Sequence, residues 1–219
     1  MLRAGRARSG GVATVEFHIV ALFALLPLCL GTLQLALLMS DNHHIDHAAF
    51  LAARRAAMSG GGIESARQAF AQASSLLLVD AASELDAGNV AGRVASAQVL
   101  ALTDQARFAR FRIVSPGVEA QADFALPRGD GRVIPNDGLE YRSRIAGQRS
   151  GLTLQQANIL HLEVSWCRPL IVPFARELLL GTLRAFDLDP WRQYCYSEGR
   201  VPIRSEGITP MQSDFRVSS

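Results

Sequence analysis

The chain has no lysine: all 22 of its basic residues are arginine, against 20 acidic residues, for a net charge of +2. With so small an imbalance, and no arginine run interleaved with aromatics, the electrostatic footprint of a nucleic-acid binder is missing. Cysteine is scarce, three in 219 residues with no C-x-x-C, which removes the usual zinc and dithiol frameworks. The sequence also lacks H-E-x-x-H, G-x-S-x-G, a P-loop, and any G-x-G-x-x-G that follows a strand and opens a helix; "GDGR" (129–132) reads as a turn. One polar strand face, in "LHLEVSWC" (160–167), gathers His161, Glu163, Ser165 and Cys167 and so imitates a catalytic set. His161 and Cys167 are six positions apart, however, which is about 20 Å along a strand and far beyond the ~3 Å a base and nucleophile require. "DNHHIDH" (41–47) places His43 and His47 four apart beside Asp46, as metal ligands can be, but no later motif completes such a set. It reads as a polar collar at a headgroup boundary, with some pH sensitivity. No enzyme chemistry, metal or cofactor is expected.

Charge is locally missing too. From Phe17 to Met39 the sequence FHIVALFALLPLCLGTLQLALLM runs 23 residues without Asp, Glu, Lys or Arg. At 1.5 Å per residue that is about 34 Å of helix, enough to cross a hydrocarbon core of about 30 Å. Pro27 and Gly31 should loosen the helix, which membrane spans tolerate. Arg3, Arg6 and Arg8 precede the run, whereas Asp41 and Asp46 follow it. The positive-inside rule keeps the first eleven residues cytoplasmic and exports the rest. The run is too long for a secretory signal, and Leu38-Met39-Ser40-Asp41 offers no small-residue cleavage site. Leu28 before Cys29 excludes a lipoprotein signal as well. A plain single-pass anchor would account for the run but not for what precedes it.

What precedes it is "RSGGVATVEF" (8–17), with a carboxylate, Glu16, at the membrane threshold. A charge at membrane depth is costly and marks a function with a partner to be named. Cutting the chain between Gly11 and Val12 would supply one. Val12 and Glu16 are four apart, hence on one helix face, and the freed amine could meet the carboxylate of its own or a neighbouring subunit. A basic leader, Gly10-Gly11, VATVEF and an apolar helix together resemble the class III signal of type IV prepilins. The Glu16-Phe17 pair is similar to the Glu-Tyr/Phe pair of the Flp/Tad branch. With "AAFLAARRAAMSG" (48–60), residues 8 to about 60, roughly a quarter of the chain, resemble the TadE-like minor pilins, or pseudopilins. The resemblance implies cleavage after Gly11 by a prepilin peptidase, N-methylation of Val12, and a role in assembling or priming a tight-adherence pilus. Its implied partners are that peptidase, other pilins, inner-membrane pilus assembly proteins and membrane lipid. The alternative is an uncleaved, single-pass, membrane-anchored periplasmic binding or assembly module.

Beyond Met39 the helical pattern continues through Ala48, Ala49, Leu51, Ala52, Ala53, Ala56 and Ala57, and Gly60-Gly61-Gly62 stops it. A second helix is predicted over 63–85, with Ala66, Phe70, Ala73 and Leu77 at helical spacing. Alternation predicts strands over 109–115 and 118–126, separated by Pro116-Gly117, and over 160–167, where Leu162, Val164 and Trp166 share a face. The stretch 127–151, rich in Gly, Pro, Asn, Asp and Arg, reads as a long exposed loop. Pro173 opens a short amphipathic helix, 174–186, whose charges exclude a second span. The segment 200–213, with Pro202 and Pro210, fits an edge strand. Cys167 and Cys195 both lie on the exported side, where disulfides persist. Their pairing would close a loop of about 28 residues, a stabilisation of about 3.5 kcal/mol in the chain-entropy model; the alternative is two free buried thiols. Cys29, within the run, is a packing residue. The expected fold is α+β and pilin-like. A cytoplasmic leader (1–11) precedes a long helix (12–59), membrane-spanning over about 17–39. A periplasmic domain (60–219) of helices on a small antiparallel sheet follows.

Overall fold

The structure is a computed structural model that describes residues 12–79, 89–129 and 131–217. It divides into two compact units: among the described residues, one comprises 12–39 and 169–201, the other 40–79, 89–129, 131–168 and 202–217. The N-terminal helix begins as α1 (Val12–Val20), passes through a single π turn (Ala21–Leu25), and continues as α2 (Leu26–Met58). The π turn has a local cause. Pro27 has no N–H to give and its ring crowds the carbonyl one turn back, so the ladder widens and the Leu26 N–H reaches the Ala21 carbonyl, five residues back. Among the described residues, the helical stretch Thr14–Met58 is the one long and apolar enough to cross a membrane.

In the unit of residues 40–168 and 202–217, α2 presents Ala48, Ala49, Ala52, Ala53, Ala56 and Ala57, all fully buried. Methyl side chains leave the helix backbone accessible, and the sheet moves in against it. A Cβ added at Gly207 would collide with the Ala49 carbonyl oxygen and stand 2.7 Å from the Ala53 Cβ. Gly207 lies in β5 (Arg200–Pro210), an edge strand of the order β1-β4-β5 with β1 (Ala109–Ser115) and β4 (Ile159–Pro169). β1 and β4 are antiparallel, Phe111 opposite Val164 and Arg112 opposite Glu163. On the inner face Leu160, Leu162, Val164 and Trp166 are fully buried. Phe70 of α3 (Ile63–Ser74) stands edge-on to Phe111 at 5.4 Å and to Trp166 at 5.6 Å. On the outer face charges alternate across the strands: Glu163 pairs with Arg112 at 2.6 Å and Arg204 at 2.9 Å, and His161 with Glu206 at 2.9 Å. The hydrogen bond from His161, with Arg204 beside it, holds the Glu206 carboxyl below its ordinary value.

The glycines that end α2 do so through a specific cap. Gly60 and Gly61 both have positive φ, and the Gly61 N–H bonds the Ala56 carbonyl at 2.8 Å, the six-to-one bond of a Schellman turn. The second bond of that motif is relayed: Gly60 N–H donates to Ser213 Oγ at 2.9 Å, and that hydroxyl donates to the Ala57 carbonyl at 2.9 Å.

Several expectations need correction. The stretch 118–126 is not a strand: Val118–Phe124 is a helix, because Glu119, Ala120, Gln121 and Ala122 are helix formers following an extended Gly117. Its Asp123 accepts from the backbone N–H groups of Arg149 and Ser150, which lowers its pKa, the Ser150 bond contributing most. The loop expected over 127–151 contains most of a hairpin, β2 (Leu126–Arg128) and β3 (Gly131–Ile134), which forms a second antiparallel sheet with β6 (Phe215–Val217). Within the helix predicted over 63–85, α3 gives way to a 3-10 turn at Ser75–Leu78, and 80–88 lie outside the described residues. A helix without a sequence-based expectation, Val90–Phe108, is opened by Asn89, whose side chain accepts from the Gly92 N–H at 2.6 Å.

The other unit joins the apolar run to 169–201. Gln34, inside the run, is 1% exposed, and its side-chain oxygen accepts the backbone N–H of Val172 at 2.8 Å. One turn on, Leu38 packs against the buried cluster of Leu170, Leu180 and Tyr196. The segment carries two helices, Ala175–Phe186 and Pro190–Ser197; Asp189 caps the second, accepting from the N–H groups of Trp191 and Arg192. The first starts one residue later than expected, since Phe174 takes a positive φ before it.

Two outcomes follow from this packing. Gly207→Val should cost about 1–3 kcal/mol by forcing a branched side chain against the helix backbone. Ile208→Val, at a position 56% exposed in the same strand, should shift the melting transition within error, so the pair of melts isolates the close approach. Gln34→Leu should leave the Val172 N–H buried without an acceptor, at about 1–3 kcal/mol. Hydrogen–deuterium exchange of peptides spanning Val172 should then accelerate about tenfold or more, while the exchange of β4 inner-face residues is unchanged.

Candidate functional site

The residues singled out from the sequence as an assembly site lie on α1. Val12 is the first residue of the described helix, Glu16 follows four positions later on the same face, and Phe17 is its neighbour. Gly11, the other half of the expected cleavage site, lies outside the described residues. Glu16 is exposed, and it makes no hydrogen bond or ion pair with any described residue. Phe17 is 67% exposed and meets the His18 ring edge-on at 6.0 Å. His18 turns back along the helix, its Nδ1 donating to the Thr14 carbonyl at 2.6 Å. The helix therefore settles the polarity of His18 internally and leaves that of Glu16 open. Four residues of α-helix rise about 6 Å, so a positive group at residue 12 would stand within reach of that carboxylate.

The other polar clusters are absorbed into the fold. Asp41, at the start of "DNHHIDH", receives the Nε of Arg168 at 2.9 Å, and the same guanidinium lies 4.6 Å over the Trp166 ring. Asp46 accepts from the Ser205 hydroxyl at 2.6 Å and the Asn42 amide at 3.2 Å. Among the described residues no group of three or more His, Cys, Asp or Glu could hold a metal ion. His161 is engaged by Glu206, and Cys167 and Cys195 are both disulfide-bonded, so neither sulfur is a thiol. Cys29 is free and exposed on the apolar helix.

Sequence reading missed the polar members that hold elements in place. Gln34 had a visible signal, an amide among leucines in "TLQLALL", where an unsatisfied side chain would be costly. Arg168 had none, because its partners come from α2, 127 residues earlier in the chain, and from the adjacent strand position.

A comparison with protein families matches residues 11–54 to the model described as TadE-like protein. No curated protein and no solved structure matches the chain. The matched segment takes in Val12, Glu16, Phe17, the apolar run and the first part of the alanine face. Over this segment the chain is similar to TadE-like proteins.

Proposed function

We propose that the chain is a minor pilin- or pseudopilin-like structural subunit that assembles or initiates a Flp/Tad-type pilus, after a prepilin peptidase cuts between Gly11 and Val12. The observation that carries this reading is Glu16, an exposed carboxylate on an apolar helix with no partner among the described residues. A charge in a low-dielectric setting is tolerated when paired. Cleavage creates an amine one helical turn away, and side-by-side assembly of such helices lets each Glu16 meet the amine of the next subunit. The arginines at positions 3, 6 and 8 hold the leader on the cytoplasmic side of the inner membrane, and the residues after Met39 lie in the periplasm. On this reading 1–11 is a leader, 12–59 the spanning and assembly helix, and 60–219 the periplasmic part. Its partners are the peptidase, other pilins, inner-membrane assembly proteins and lipid.

An intact mass and N-terminal sequence of the protein, from membranes and from material sheared off the cell surface, tests the reading. The expected chain begins at Val12 and is one methyl group heavier. A chain that keeps Met1 through Gly11 would leave the alternative, an uncleaved membrane-anchored assembly module. Gly11→Ile should accumulate the uncut precursor. Glu16→Ala should still be cut, yet reduce the amount of subunit in the sheared fraction by about tenfold or more, the scale of one lost ion pair of ~1.4 kcal/mol. Wild-type levels of Glu16→Ala in that fraction would remove the assembly role assigned to the carboxylate.

A further inference from the structure

The segment 169–201 turns its apolar residues the wrong way for water. Several of its polar groups are satisfied inward: the Tyr196 hydroxyl donates to Asp187 at 2.8 Å, Arg184 donates to the Tyr196 carbonyl, and the side chain of Gln193 donates to the Arg184 carbonyl at 3.0 Å. Its outward surface holds Ile171, Phe174, Leu178, Phe186 and Leu188, each more than 70% exposed. In the helix Ala175–Phe186 the buried side is Ala175 and Leu180 with Leu179 and Leu183 half-buried, while the exposed positions are Leu178, Gly181, Thr182, Ala185 and Phe186 together with the charged Arg176, Glu177 and Arg184. Even the Thr182 hydroxyl is spent on the Leu178 and Leu179 carbonyls. A helix that exposes large apolar side chains beside a few charges suits the boundary between water and an apolar medium.

The backbone before this helix points the same way. Phe174 has φ 63°, and the Ala175 N–H closes onto the Pro173 carbonyl at 2.7 Å, a classic-handed γ-turn that L residues adopt under strain. That strain delivers a phenyl ring to the outside, at 74% exposure. In water the arrangement gains nothing.

What covers the face follows from where the segment is anchored. It is tied to Gln34 and Leu38, both inside the uncharged run that ends at Met39. Gln34 is five residues before that end, about 7.5 Å along the helix axis. Interfacial helices sink their apolar face about 5–10 Å into the boundary between headgroups and acyl chains. The segment also carries four arginines against four acidic residues, so no net charge draws it to a surface. On the reading that the apolar run spans the membrane, we propose that the outer face of residues 171–188 is a second membrane contact. It lies in the leaflet from which Met39 emerges and is held there by apolar burial with no requirement for anionic lipid. The spanning helix is thus buttressed at its exit by a collar that fixes its height and rotation in the bilayer.

The test uses the full chain reconstituted into phosphatidylcholine vesicles containing no other protein. Leu178→Trp and Phe186→Trp place reporters on the face, and Tyr141→Trp, at a position 88% exposed in the other unit, is the water-accessible control. The unsubstituted chain supplies the background of Trp166 and Trp191. The expected result is that indoles at 178 and 186 are quenched by iodide at least about threefold less than the one at 141, and are quenched by lipids brominated near the headgroup, equally at low and high salt. If the chain resists alkaline carbonate extraction while 178 and 186 are as open to iodide as 141, the second contact is overturned and the spanning helix stands. That same result is the one a face reserved for a protein partner would give. Loss of lipid quenching at high salt would overturn the apolar origin of the contact. Extraction of the chain by carbonate would overturn both the span and the collar.

Discussion

The second unit depends on one close approach, that of the alanine face of α2 to the edge strand β5. Three alanine pairs, 48/49, 52/53 and 56/57, keep the side chains of that stretch to a single methyl, and Gly207 removes the last Cβ between helix and strand. At that separation the contact area per residue is small but continuous, and the packing tolerates no added atom. The larger side chains are displaced along the sheet, where Trp166, Phe70 and Phe111 fill the space with edge-to-face rings. Polar groups then fix the register. Asp41 meets Arg168 and Asp46 meets Ser205, so two acidic residues of α2 grip two different strands of one sheet. A helix and strand held by methyl contacts alone could slide; these bonds forbid it.

Gln34 and Glu16 are two polar residues of the same apolar helix with opposite fates. Gln34 finds the Val172 N–H within its own unit and becomes part of the packing. Glu16 makes no such bond to any described residue. The chemistry of each would have been hard to separate from sequence, since one stands at the threshold of the apolar run and the other inside it. Structure separates them by whether the fold answers the side chain. A polar group answered internally is part of the packing, and one left open is available to a partner.

How much was legible follows the range of each interaction. The long helix, its glycine stop, the alternation of 160–167 and the edge strand carrying Pro202 and Pro210 are local patterns, and they stand in the structure as read. The pair β2 and β3 was invisible because its third strand is Phe215–Val217, some 80 residues on, and a short polar stretch becomes a strand only when such a partner arrives. The helix over 118–124 was lost to an alternation that a run of alanine, glutamate and glutamine satisfies equally well in either conformation. In the proposed assembly site Glu16 was legible as an anomaly of charge. The inward use of Asp41 and Asp46 was not, since a histidine-rich setting drew attention to metals and collars instead.

The relayed cap on α2 links residues that the ribosome delivers far apart. Gly60 reaches Ser213 across 153 positions, and the hydroxyl that completes the helix terminus is supplied only after both sheets' other strands have emerged. Contacts of that span form late, because the loop they close must be ordered first. A chain made from its N-terminus therefore holds α2 without its complete cap until residue 213 has been added. The final turn sets when Ser213 arrives, so completion of the helix and of the C-terminal segment are one folding event.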